Sequence, residues 1–156
     1  MKFRLLLLLV AIPAPCLPSL HAGDVMSATK SERPETELEQ AMGKMGKAWR
    51  QVRKANREGR LSPACADYVA TVRSNAERAS RMIPALEAEQ PAGERAKFQA
   101  DFEASMKKLV AVLSDLEAAL KANNLPTASR LVGEAGELMK SGHHDFKKPD
   151  EPGGRS

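Results

Sequence analysis

The sequence predicts an all-α fold, an antiparallel up-down-up-down four-helix bundle, on three observations. Its 156 residues hold only four Phe, one Tyr and one Trp, too few for the aromatic and β-branched alternation of a sandwich or barrel. Ala, Leu, Glu, Lys and Arg dominate the middle of the chain, and most of these residues lose little rotamer freedom in a helix. Four stretches carry apolar residues at spacings of three and four, with Pro, Gly or Asn between one stretch and the next.

The first stretch opens at Pro34, suited to a first helical turn, with Glu35, Glu37 and Glu39 placed well for the helix dipole. Its apolar face is Leu38, Met42, Met45, Trp49 and Val52, and it ends near Gly59. Ser62-Pro63 supplies cap and first turn for the second, whose stripe runs Cys65, Val69, Val72, Ala76, Ala79, Ile83, Leu86 unless Pro84 stops or kinks it. The third follows Pro91 and carries Phe98, Phe102, Met106, Leu109, Leu113, Leu116 and Leu120 as far as Asn123-Asn124. Asn124, with Pro126 shortly after, opens the fourth, with the stripe Ala128, Val132, Ala135, Met139, His143, Phe146. The domain organisation this predicts is a signal peptide over 1–22, a flexible arm over 23–33, the bundle over 34–148 and a disordered tail over 149–156.

The leader reading rests on Lys2 and Arg4, the apolar run Leu5 to Ile12, and the small residue Ala22, after which cleavage is expected. That run is too short to span a bilayer, and no later segment is apolar for long enough, so the mature chain is expected to be exported without a stable membrane anchor. Cys16 invites a lipoprotein reading, but Pro13 and Pro15 occupy positions where such a site wants an aliphatic and a small residue. Without the leader Cys65 is the single thiol, so no internal disulfide can form. The formal charge of +4 falls to +2 once Lys2 and Arg4 are gone, and no strip of aromatic and basic residues exists to stack bases, which argues against nucleic acid.

Short connections bring the start of helix 1, the end of helix 2, the start of helix 3 and the end of helix 4 to one end of the bundle. Met42, Ile83, Leu86, Phe98 and Phe102 meet there with Met139, His143 and Phe146. His143 and His144 are adjacent, about 100° apart on a helix, and the stripe selects His143 as the inward one. A thioether from Met42 facing that imidazole forms a plausible axial pair for haem iron, with Phe98, Phe102, Leu86 and Ile83 as apolar walls. There is no Cys-x-x-Cys-His run, so such a haem is held noncovalently.

Thr36-Glu37-Leu38-Glu39-Gln40-Ala41-Met42 at the start of helix 1 and Lys140-Ser141-Gly142-His143-His144-Asp145-Phe146-Lys147 at the end of helix 4 resemble the soluble periplasmic cytochrome b family of the b-562 type. Phe98-x-x-x-Phe102 and Leu120-Lys121-Ala122-Asn123 add to that resemblance, which covers roughly residues 36 to 147. It implies a four-helix haem carrier in the periplasm whose iron is bound by Met42 and His143, with periplasmic redox proteins as partners. The stretch from Phe102 to Leu120 is about two turns longer than that family's pattern.

Blander readings stand beside these. Met42 and Phe102 fill any bundle core, Met45 offers a sulfur one turn further in, and His143-His144-Asp145 could catch Zn²⁺ or Cu²⁺. Arg50, Arg53, Lys54, Arg57 and Arg60 read as a solvated helix end, or as a docking patch for an acidic partner. Phosphate loops, Ser-His-Asp spacing and Glu-x-x-His motifs are missing from the stripes, so no enzyme is expected. The prediction is a periplasmic electron carrier, monomer or weak dimer, with one b-type haem. Its competitor is a haem-free periplasmic bundle acting as a stress-response or metal- or protein-binding module.

Overall fold

The computed structural model describes residues 35–147, and over them the apolar stripes become four α-helices. They are α1 (Glu37–Arg57), α2 (Ala66–Ala79), α3 (Arg95–Lys121) and α4 (Leu125–Phe146). The signal peptide, the arm, Pro34 and the tail lie outside the described residues, and among those described no helix is long and apolar enough to cross a membrane.

Local chemistry sets each end. Thr36 caps α1 in a reciprocal box: its hydroxyl accepts from the Glu39 amide at 3.2 Å, and the Glu39 carboxylate accepts from the Thr36 amide at 2.8 Å. α1 therefore begins at Glu37 and not in the turn at Pro34. At its other end Gly59 takes φ 62°, and the Arg60 amide reaches back to the Ala55 carbonyl at 2.8 Å. Asn123 repeats this device after α3 with φ 54°, one of the few side chains that tolerate the left-handed region. Asn124 then caps α4, its Oδ1 accepting from the Thr127 amide at 3.3 Å.

Helix 2 differs from the sequence reading. It stops at Ala79, about two turns before Leu86, so Ile83 is 67% exposed and Leu86 lies half-buried in a 3-10 turn, Ala85–Glu89. The cause is Pro84, whose ring disfavours helical geometry at Ile83 and which itself takes an extended conformation. The connection to α3 is accordingly a long strap over 80–94. Arg95 clasps it by donating to the carbonyls of Gln90 and Ala88 at 3.1 and 3.0 Å, and Gln99 donates to Met82 at 3.1 Å.

Contacts along each helix pair show the alternating directions. Arg53 of α1 lines a groove with Val132 and Lys140 of α4, Arg73 of α2 reaches Glu117 of α3, and Phe146 of α4 meets Phe98 of α3. The described fold is thus the antiparallel up-down-up-down bundle. Its burial is graded: Val52, Val69, Val72, Leu113, Leu116 and Leu120 are fully enclosed where α1 and α3 end and α2 and α4 begin. At the opposite end α2 is missing, and Leu38, Met42, Met139 and Phe146 only lean on the core.

Two predictions test this account. Leu113→Ala at the sealed end should cost roughly 3 kcal/mol in denaturant unfolding, the range for a fully buried leucine whose cavity cannot collapse. Glu117, with a side chain 12% exposed, accepts from Lys121 at 2.5 Å and from Arg73 at 3.1 Å. The Lys121 bond, aided by Arg73 and opposed by burial, holds its carboxyl below the usual glutamate range. A depressed folded-state pKa contributes stability above the ordinary range, and that contribution is lost as pH falls through the folded value. Glu117→Gln should therefore cost about 1 kcal/mol at neutral pH and nothing in strong acid, as read by urea unfolding across pH.

Candidate functional site

The end that α2 does not reach gathers the sequence-predicted residues, with two exceptions. Phe98 and Phe102 of α3 stand one turn apart and both pack edge-on against Phe146 of α4, ring centres 5.3 and 5.4 Å away. Phe102 is 2% exposed, while Phe98 and Phe146 are half-buried. Leu86 lies in the strap, whose 3-10 turn packs on α3. Ile83 points to solvent and is no wall of an interior pocket, for the reason Pro84 supplies.

The second exception is the orientation of His143, which is exposed and not on the inner stripe. That stripe runs Ala128, Val132, Ala135, Met139, Gly142, Phe146, and a Cβ on Gly142 would stand 3.8 Å from Ser105 Oγ of α3. Stepping by four and three reaches position 142 or 143 from Met139 equally well, and Phe146, packed on two α3 phenyls, draws the inner row through Gly142.

His143 belongs instead to the side of α4 that turns toward α1. These two helices touch least of the neighbouring pairs, and between them runs a shallow, solvent-open groove of about 420 Å³. Arg53, Asn56 and Arg57 form its α1 wall, and Val132, Gly133, Gly136, Glu137 and Lys140 its α4 wall. Counted at 100° per residue, Met42 lies about 15° from the mean direction of the α1 wall, whereas Met45 is roughly 70° round toward the core. Burial agrees, Met45 being 5% exposed within the core and Met42 half-buried at its margin. His143 lies about 50° from the direction of the α4 wall on the side nearer the core, with His144 about as far on the outer side. By direction both residues lie on the α1–α4 side of the bundle, with Met42 about 16 Å along α1 from the Arg53 end of the groove and His143 one turn beyond Lys140.

The two histidines also differ in their partners. His144, its side chain 88% exposed, places Nδ1 2.8 Å from Asp145 Oδ1, and Ser141 Oγ donates to Asp145 Oδ2 at 3.1 Å. The His144 bond first, and the Ser141 bond second, hold the Asp145 carboxyl below its usual range. The His143 ring has no hydrogen bond among the described residues, so both its nitrogens are available. No three His, Cys, Asp or Glu side chains cluster as a metal cage among the described residues. A cage for Zn²⁺ at His143-His144-Asp145 therefore has no support.

Sequence reasoning missed the α1–α4 groove. The row Gly136, Lys140, His143 repeats at four and three as regularly as the inner row, but only the packed structure tells which of two adjacent rows is interior. Cys65 lies buried at the sealed end, in a recess it shares with Lys54, Ala55 and Tyr68, and far along the bundle from Met42 and His143. One thioether and one imidazole lie on the α1–α4 side of the end that carries three phenyl rings. That chemistry suits a haem held by axial ligands and apolar contact alone.

Among curated proteins and among solved structures nothing matches the chain. The profile of the cytochrome b562 family does match it, over residues 37–147, which runs from the first residue of α1 to the residue after α4. By that match the chain belongs to the cytochrome b562 family, four-helix bundles that bind a b-type haem noncovalently.

Proposed function

We propose that this protein carries single electrons in the periplasm with one b-type haem, its iron bound by Met42 and His143. What supports this reading is the family match, together with Met42 half-buried near the start of α1 and His143 exposed near the end of α4, at the end where the bundle is least sealed. A bound b-type haem supplies a one-electron iron couple.

The chain's own residues divide the remaining work. Met42, half-buried at the core margin, offers a neutral sulfur that favours the ferrous state and so raises the potential. His143 offers one ring nitrogen to the metal and leaves the other to solvent or a second partner. Phe98, Phe102 and Phe146 present apolar ring surface and keep water from that side of the site. Held by both Met42 and His143, a bound haem iron would have no site left for a substrate, which suits a carrier. The expected signal peptide over 1–22 supports export.

An optical titration of the chain with haemin, followed by reduction, tests the assignment. Wild type and Met45→Leu should give the same sharp low-spin b-type bands, because Met45 is core and leucine nearly conserves its volume. Met42→Leu and His143→Ala should lose those bands and bind haemin at least roughly tenfold more weakly. Unchanged bands in both would refute the ligand pair. Failure of wild type to take up haemin would favour a haem-free bundle.

A further inference from the structure

Most cations on α2, α3 and α4 that meet an acid do so within their own surface. Arg73, Lys97, Lys107, Lys121 and Arg130 each stand 2.5 to 3.1 Å from a carboxylate. α1 is different. Between Gln40 and Glu58 it carries Lys44, Lys47, Arg50, Arg53, Lys54 and Arg57 and no acid, and no carboxylate among the described residues pairs with any of the six. Over about 20 Å of helix this leaves a field of one sign.

The seam concentrates that field. Arg53 and Arg57 on one wall face Lys140 on the other, Arg50 stands one turn along α1, and Glu137 is the single acid among the lining residues. The groove is shallow, so a small anion seated in it would keep most of its surface in water, unlike a ligand in an enclosing pocket. Its floor is bare: a Cβ built on Gly133 or Gly136 would meet nothing within 4 Å. Carboxylates projecting from a protein surface could enter such a trough and find three cations. Of the proposed ligands only His143 comes near this groove, one helical turn after Lys140, while Met42 stands about 16 Å along α1 from Arg53.

We propose that the α1–α4 groove is the docking surface for an acidic face of a partner protein, with Arg53, Arg57 and Lys140 as its anchoring cations. The partner's redox nature rests on the electron-carrier reading; the acidic recognition does not. Complementary charge of this kind acts through encounter rate and orientation and weakens with salt.

The test uses the full chain, with and without haemin, and a fluorescein-labelled polyglutamate peptide followed by fluorescence anisotropy. Wild type should bind in both forms, more weakly as salt is raised. Arg53→Glu/Arg57→Glu should weaken binding roughly tenfold or more and leave the haemin bands intact. Lys97→Glu/Lys107→Glu changes net charge equally on α3 and should shift binding less than about twofold. Equal loss in the two pairs would mean attraction to overall charge and would overturn the proposal, as would no binding by wild type. Altered haemin bands in Arg53→Glu/Arg57→Glu would assign those arginines to the haem site and overturn it too. Groove-specific binding in a chain that takes up no haemin would uphold the docking surface while the carrier reading failed.

Discussion

Leu113, Leu116 and Leu120 of α3 share one enclosed core with Val52, Val69 and Val72, and the register set by their packing carries through the length of the bundle. Side chains this well packed cannot slide by one residue without opening voids or clashes, each costing on the order of kcal/mol. From that fixed end α1, α3 and α4 run on while α2 gives out, 14 residues against the 27 of α3. The two levels at which Met42 and His143 emerge are therefore set by leucines and valines several turns away.

The mismatch in length has a structural purpose that composition alone does not reveal. A fourth full helix would complete the ring of apolar rows at both ends. In its place the strap over 80–94 passes across the start of α3, held by side chains donating to its carbonyls and by a buried Pro84. One polar atom in this region is spent awkwardly: Gln99 gives its amide to Met82, and its buried Oε1 has no partner among the described residues. A cost of that size is tolerable where packing is already loose and would be severe among the enclosed leucines.

Much of this was legible in the residues. The periods of α1, α3 and α4, the caps at Asn124 and Gly59, the meeting of Phe98 and Phe102 with Phe146, and the two signature stretches that flank the bundle could all be read by spacing. Three things could not. The apolar rhythm of helix 2 continues through Ile83 and Leu86, and only the steric effect of Pro84 on its predecessor decides that the helix does not. The stripe of α4 admits Gly142 or His143, and a third-helix phenyl pair decides between them. The arginines of α1 read as a solvated end because nothing along one chain tells that Lys140 stands across from them.

The split between a closed half and an open half also bears on the order of assembly. The six largest fully enclosed side chains lie in the half that holds neither Met42 nor His143, so most of the burial that fixes the chain's topology does not depend on the ligand end. Haem insertion would then be a late step at the unfinished mouth of a scaffold whose core is set elsewhere. Haem binding would add to stability by mass action, growing with the logarithm of free cofactor.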